Sequence, residues 1–254
     1  MRFSNLLPKR ITPYLFVLSL IFACSEVDEE LETVIINPWP VEPSPKAYVY
    51  LDENGVTMKA SENSKPGDRA DFEGDTYLIV DDEILRELVR GYPSNDVDLS
   101  KLVTTKVTDM NELFYNRTGY NFDLSNWDVS NVTDMSNMFY NAFEFNSDIS
   151  NWDVSSVTNM AKMFHTATSF NQNIGNWDVS NVADMSNMFM NASEFNSDIS
   201  NWDVSNVTDM GLMFAWAQKF NQDLSNWNVE NVTNDYWFDY STGSWTLPKP
   251  NFQE

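Results

Sequence analysis

Residues 127–151 read WDVSNVTDMSNMFYNAFEFNSDISN, and the next residue, Trp152, opens a second copy of this 25-residue phrase. Tryptophan recurs at this spacing five times, at Trp127, Trp152, Trp177, Trp202 and Trp227. A fixed period of about 20–50 residues is typical of proteins built as stacks of repeats, because a single unit cannot bury its apolar face alone. We therefore predict a stack of 25-residue coils, in which these tryptophans hold one coil to the next.

The repeat region is predicted to span 102–238, from a degenerate first unit at Leu102 to a partial sixth unit that frays after Phe238. Four full units lie between them, at 127–151, 152–176, 177–201 and 202–226. The apolar positions of a unit recur in the next copies and are predicted to form the core: Trp127, Val129, Val132, Met135, Met138, Phe139, Ala142, Phe145 and Ile149.

Two kinds of local structure are predicted inside each coil. Met135, Met138, Phe139 and Ala142 have helical spacing, which favours a short helix capped by Thr133 or Asp134. Residues 148–152 have strand character. Strict alternation of apolar and polar residues is absent, so the coil is not one long strand.

The segment 47–101 is predicted to precede the stack and to shield its first coil. Residues 48–51 and 56–59 are expected to form a hairpin around the turn 52–55, and 77–80 a further strand. Asp81 and Asp82 are suited to cap a helix over 83–90, which would form an N-terminal helical cap. Residues 239–254 are assigned to a C-terminal cap and tail.

The first residues have the character of an export signal. Lys9 and Arg10 precede the apolar run 11–23, which is too short to span a bilayer comfortably. This stretch resembles a bacterial lipoprotein signal peptide (1–23), a resemblance that implies lipidation of Cys24, the chain's single cysteine. The alternative is a soluble export signal with an incidental cysteine.

The segment 24–46 is acidic and Pro-rich and is predicted to be an extended tether. Its first residues, 25–30, resemble the surface-export signal of Bacteroidota lipoproteins. This predicts an outer-membrane lipoprotein exposed at the cell surface, attached to the membrane through the lipid anchor only. A periplasm-facing lipoprotein is the alternative, since an acidic spacer without an export function would have the same sequence character.

The charge argues against nucleic-acid binding, and the residue types argue against catalysis. The formal net charge of -23 opposes nucleic-acid binding. The single histidine, His165, occupies a variable position of the repeat, and no nucleophile, base or isolated pair of carboxylates breaks the repeat pattern. We predict a protein without catalytic residues, and therefore not an enzyme.

Two columns of acidic and amide residues recur along the stack and raise the question of a metal site. One contains Asp128, Asp153, Asp178 and Asp203; the other contains Asp134, Asn159, Asp184 and Asp209. One interpretation is that the aligned carboxylates bind Ca²⁺ together. The simpler interpretation is that each side chain accepts backbone N–H bonds at its own turn. We predict no metal and no cofactor, with Ca²⁺ as the alternative.

The positions that vary between copies are the candidates for partner binding, because packing does not dictate them. One variable column contains Tyr115, Tyr140, His165, Met190 and Ala215. Beside it, Leu212 and Trp216 replace two asparagines of the preceding copy, which would extend an apolar stripe for a partner. Alternatively, Leu212 and Trp216 pack under a C-terminal cap built from Tyr236, Trp237, Phe238 and Trp245.

The repeated phrase over 102–238, with a preceding segment from about residue 77, resembles the BspA-like leucine-rich-repeat surface proteins, a family also found as mycoplasma-type lipoprotein repeats. The resemblance implies an α/β solenoid, a right-handed leucine-rich-repeat-like stack with short parallel strands and short helices. It also implies adhesion to host proteins or neighbouring cells. We predict an extracellular protein or glycan as the ligand and expect a monomer. The alternatives are a structural or calcium-stabilised coat component and a polysaccharide-active solenoid enzyme.

Overall fold

The computed structural model describes residues 46–93 and 97–252. The predicted signal peptide, Cys24 and all of the predicted tether except its last residue lie outside these described residues. Within the described part of the chain, no helix is both long enough and apolar enough to cross a membrane.

A short antiparallel hairpin opens the described chain and is attached to the repeats. Its strands are β1 (Val49–Leu51) and β2 (Met58–Ala60), close to the ranges that the sequence predicts. The N–H of Met58 donates to the carbonyl of Asn126 (2.8 Å), and the N–H of Ala60 donates to Oγ1 of Thr105 (3.1 Å). These bonds fix the hairpin against the side of the stack.

A three-stranded sheet follows, with strand order β3-β4-β5. Strand β3 (Arg69–Phe72) pairs antiparallel with β4 (Asp75–Ile79), and β4 pairs parallel with β5 (Leu102–Val103). The sequence predicts β4 but not β3, because four residues that alternate charged and apolar side chains give too short a pattern to distinguish from a loop. Through β5 the sheet continues into the first repeat.

Helix α1 (Asp82–Gly91) confirms the predicted helix. It begins where predicted because Oδ1 of Asp81 accepts the N–H of Ile84 (3.0 Å), which satisfies a donor that the first helical turn leaves free. Leu85 and Val89 are buried in the same apolar core as the first coil. A single 3-10 turn (Leu99–Lys101) then leads into the repeats.

The repeats form a stack held in a 25-residue register. Parallel bridges link Asp109, Asp134, Asn159, Asp184, Asp209 and Asn234 in succession. Beside them, alternate N–H groups donate to carbonyls of the next coil, as Asn137 does to Ala161 (2.9 Å) and Phe139 to Met163 (2.9 Å). Equivalent bonds recur as far as Trp216, whose N–H donates to Tyr240 (2.8 Å).

The predicted short helix in each coil is wrong. Residues 135–142 form successive turns in which Met138 donates to the carbonyl of Met135 (3.2 Å) and Tyr140 to that of Asn137 (3.1 Å). A helix would use every N–H within its own segment, whereas here every second one is directed at the next coil. Because each turn advances the chain by a few residues, it reproduces the spacing of buried side chains that the sequence pattern assigns to a helix.

The predicted strand over 148–152 is also wrong. The side chain of Asp148 accepts the N–H of Ser150 (2.9 Å), and Trp152 closes a turn onto the carbonyl of Ile149 (3.2 Å). These local bonds bend the chain where a strand would be extended. Apart from β5, parallel pairing between described residues of the repeats is limited to the single bridges described above.

The apolar positions of the repeat form one continuous core. All nine predicted core residues of the unit 127–151 are buried. Each repeat tryptophan stands across a coil boundary: Nε1 of Trp177 donates to the carbonyl of Ile149 (3.2 Å), and Nε1 of Trp202 to that of Ile174 (3.0 Å). Phenylalanines stack in register alongside them, with ring centroids 5.7 Å apart for Phe164 and Phe189. The core is therefore a buried aromatic ladder.

Two positions of every coil have a left-handed backbone. They hold Glu112 and Asn116, Asn137 and Asn141, Lys162 and Thr166, Asn187 and Asn191, Leu212 and Trp216, and Trp237 and Ser241 in the successive coils. Asparagine tolerates this conformation, whereas a β-branched residue such as Thr166 (φ 58°) is strained in it. The turns are therefore imposed by the stack even where the local residue disfavours them.

We expect Thr166→Asn to stabilise the protein by about 1 kcal/mol, because it relieves this strain. The matched control is the reverse exchange one coil later, Asn191→Thr, which places threonine at φ 63° and should destabilise by a similar amount. Urea denaturation followed by tryptophan fluorescence measures both changes. Equal effects of the same sign would contradict the strain argument.

A surface column of aromatic side chains as the candidate functional site

One side chain per coil projects from the same place on the turns and forms a column along the stack. We call it the surface column; its members are Tyr115, Tyr140, His165, Met190, Ala215 and Tyr240. Its backbone is held by hydrogen bonds, since Tyr140 closes a turn while Phe139 and Asn141 on either side donate to the next coil (both 2.9 Å). Each side chain is thus placed above its counterpart by the register.

The first three members of the column are stacked rings. The centroids of Tyr115 and Tyr140 are 4.8 Å apart with planes inclined by 14°, and those of Tyr140 and His165 are 4.4 Å apart with planes inclined by 7°. Tyr115 is 40% exposed, and Tyr140, His165 and Met190 are half-buried, whereas Ala215 is buried. The structure therefore brings Tyr115, Tyr140 and His165 into contact in one partly exposed strip, which Met190 continues in register and buried Ala215 interrupts.

His165 is held in its neutral form. Burial and, secondarily, the positive charge of nearby Lys162 lower the pKa of His165 from 6.5 to about 4. Its Nδ1 is buried and has no hydrogen-bond partner among the described residues. At neutral pH this ring is an uncharged stacking surface on Tyr140.

Tyr240 is a member of the column that the sequence analysis missed. It lies 25 residues after Ala215, but the repeat phrase has already decayed there, and the last unit is predicted to fray after Phe238. The backbone register nevertheless continues, because the carbonyl of Tyr240 accepts the N–H of Trp216. Counting in steps of 25 from Tyr115 would have found it without any match of the surrounding residues.

Leu212 and Trp216 lie beside the column, at the two left-handed positions of their coil. The Trp216 ring meets Tyr240 edge to face at 5.3 Å. Trp237 stacks between Tyr236 (4.7 Å) and Tyr240 (4.6 Å), and all three of these rings are exposed. Phe238 and Trp245, in contrast, are buried over the end of the core. Trp216 thus packs on the last coil while it borders an exposed aromatic cluster.

The two polar columns cap turns. Oδ1 of Asp178 accepts the N–H of Ser180 (3.1 Å), and Oδ1 of Asp184 accepts that of Ser186 (2.8 Å), with equivalent bonds in the other coils. The bonds from the hydroxyl and the N–H of Ser180 lower the pKa of Asp178. Within residues 46–93 and 97–252, no group of three or more histidine, cysteine or acidic side chains is placed to hold a metal ion.

The pKa of His165 gives a pH-dependent prediction. The pKa of His165 is about 4 in the folded protein and about 6.5 in the unfolded chain, so the unfolded chain takes up the proton first as pH falls. His165 therefore lowers the free energy of unfolding as pH falls from about 6.5 to about 4. We expect His165→Tyr, the residue found one coil earlier, to lose less stability than the parent protein over this interval. Imidazole signals of this single histidine in NMR measure the pKa directly, and a value near 6.5 would contradict its burial.

Comparison with known proteins matches the repeat region of this chain to one protein family. No curated protein and no solved structure gives a significant match to this chain. Residues 84–192 and 172–242 each match the family described as "Mycoplasma protein of unknown function, DUF285". The two matches overlap and together run from the third residue of α1 to the last coil, which is more than half of the chain. The chain therefore belongs to this DUF285 family and contains two copies of its characteristic region.

Proposed function

We propose that this chain is a non-catalytic adhesion protein whose repeat stack presents the surface column to an extracellular protein or glycan. The observation that carries the proposal is the contrast between neighbouring columns of one rigid scaffold. The buried positions keep the same residue type from coil to coil, as the five tryptophans do, whereas the surface column changes from tyrosine to histidine, methionine and alanine. Partly exposed apolar and aromatic side chains on a fixed backbone are the usual anchors of binding surfaces.

In this proposal the stack is a right-handed solenoid of the leucine-rich-repeat-like kind, attached to the outer membrane through a lipid on Cys24. The 25-residue register and the parallel bridges support the solenoid. The apolar run that ends at Cys24, followed by the acidic and Pro-rich segment, supports lipidation and display at the cell surface. The tether would hold the stack away from the membrane, where a large partner can reach the column.

The state of His165, the one residue of the column that could act as a base near neutral pH, favours binding over catalysis. Its pKa is lowered to about 4 and its ring is stacked on Tyr140 at 4.4 Å, so that it is an uncharged, half-buried ring at neutral pH. A base that works near neutral pH needs a pKa close to the operating pH. The residue is therefore suited to contact and poorly suited to proton transfer.

The test is binding of the full-length chain to a glycan array and to a panel of purified extracellular matrix proteins. We expect a saturable ligand whose affinity falls at least about 10-fold in the double variant Tyr140→Ala, His165→Ala, because hot-spot aromatic residues contribute more than about 1.4 kcal/mol. The matched control is Asn176→Ala, Asn201→Ala, which removes two exposed side chains from another column of the stack. Loss of affinity in both double variants, or no saturable ligand in either format, would refute the proposal.

A further inference from the structure

Three of the four arginines in the described residues line a single cavity at the start of the surface column. The arginines are Arg86, Arg90 and Arg117, and the rest of the lining is Glu112, Leu113 and Tyr115. The cavity has a volume of about 210 Å³. Glu112 is the carboxylate of the lining, and Asp109 pairs with Arg86 beside it, so these groups together keep one positive charge on a chain of net charge -23.

Two of these arginines are held by backbone carbonyls. Arg86 donates to the carbonyl of Asn111 (2.6 Å) and pairs with Asp109 (3.0 Å), which attaches α1 to the first coil. Arg117 donates to the carbonyl of Val89 (2.9 Å) at the end of α1. Both charges are therefore fixed in place without needing a ligand.

Arg90, the third arginine of the cavity, differs from the other two. The guanidinium of Arg90 has no hydrogen bond and no ion pair among the described residues, and the side chain is exposed. It stands four residues after Arg86 in α1, so the two lie on the same side of the helix. Arg117 also donates to the carbonyl of Arg90 (3.2 Å), which fixes the backbone that carries it. An exposed guanidinium that makes no hydrogen bond within the described residues can bind an anion through paired N–H groups.

Tyr115 supplies a flat wall of the same cavity. One face of its ring is covered by Tyr140 at 4.8 Å, while the residue also lines the cavity together with Arg86 and Arg90 of α1 and Arg117 of the first coil. Since the stack places Tyr140 on the side of the later coils, the free face of Tyr115 is directed toward α1. The cavity thus combines an aromatic face with cationic groups.

We infer that this cavity binds an acidic sugar residue, carboxylated or sulfated, at the end of a saccharide chain that continues along the surface column. The acid group meets Arg90 beside Arg117, which donates to backbone carbonyls only, whereas the charge of Arg86 is shared with Asp109. The sugar ring lies on the free face of Tyr115. This inference rests on the proposed function and names its ligand class. A saccharide is favoured over an acidic peptide because the free face of the Tyr115 ring adjoins the charges. Both faces of Tyr140 are covered, by Tyr115 and by His165, so along the column the rest of the saccharide meets the edge of the Tyr140 ring.

The size of the cavity is consistent with a single ring. Pockets that enclose drug-sized molecules are about 300–1,000 Å³. The smaller volume here, about 210 Å³, leaves the remainder of a longer saccharide outside, on the open column. Specificity for the acidic residue would then come from the cavity, and additional affinity from the column.

The experiment is calorimetric titration of the full-length chain with four probes: trigalacturonic acid, a sulfated disaccharide, neutral galactotriose and hexaglutamate peptide. We expect saturable binding of at least one acidic saccharide, with an affinity at least 10-fold above that of galactotriose and hexaglutamate. The affinity should fall as sodium chloride is raised, because salt screens exposed charges.

Substitutions at Arg90 and Tyr115 test whether the saccharide binds in this cavity. Arg90→Gln should weaken binding of the acidic saccharide at least 10-fold and leave the melting temperature unchanged, since the Arg90 side chain makes no hydrogen bond and no ion pair among the described residues. Tyr115→Ala should weaken binding similarly, whereas Tyr115→Phe keeps the ring and the affinity. Lys65→Gln is the matched control for charge, because Lys65 is exposed and lies outside the cavity lining.

Equal affinity for galactotriose, or an acidic saccharide bound equally well by Arg90→Gln, would overturn the inference. Tighter binding of hexaglutamate that Arg90→Gln abolishes would also overturn it and would assign the cavity to acidic peptides. If the array and protein panel yield a ligand that needs Tyr140 and His165 while no acidic saccharide binds, this inference fails and the proposed function stands. If none of the probes, glycans or proteins binds, both fail.

Discussion

The structure depends on one constraint, the 25-residue register of hydrogen bonds between successive coils. Alternate N–H groups of each turn region before the last coil donate to the next coil, so their partners are fixed by the length of the repeat. Every side chain consequently lies above its counterpart, which gathers the tryptophans and phenylalanines into ladders. The same register creates the surface column, where rings such as Tyr115 and Tyr140 stack although their coils have different sequences around them.

The sequence predicts the composition of the core better than the conformation of the chain. The period of Trp127 and its copies identifies the buried positions without any assumption about secondary structure. The segment 135–142 is misinterpreted as a helix because turns and helices both return a side chain to the same face after three or four residues. What distinguishes them is where the N–H of Asn137 goes, and its acceptor, Ala161, lies in another coil. No local pattern contains that information.

The candidate site also has one part that the sequence pattern predicts and one part that it does not. Tyr140, His165 and Met190 can be assigned to one column from spacing alone, and Tyr240 follows from the same count. The arginine cavity cannot be predicted in this way, because Arg90 and Arg117 are 27 residues apart and on different kinds of structure, α1 and a coil. Only the packing of α1 on the first coil brings them together. The chemistry outside the repeat thus depends on tertiary contacts that the repeat pattern does not encode.

The two ends of the stack differ in how their backbone groups are hydrogen-bonded, and this difference allows the coil-to-coil hydrogen bonds to be tested. At the N-terminal end, Arg86 bonds the carbonyl of Asn111, whereas in the last coil the N–H groups of Asp235, Trp237 and Asp239 have no acceptor among the described residues. Their equivalents in interior coils, including Lys162 and Phe164, donate to the next coil (2.8 and 3.0 Å).

Residue-resolved amide hydrogen exchange compares these groups directly. The account predicts slow exchange at Lys162 and Phe164 and rapid exchange at Trp237 and Asp239, because only the former are bonded across a coil boundary. Equal protection of the interior and terminal positions would contradict the claim that coil-to-coil hydrogen bonds hold the structure together.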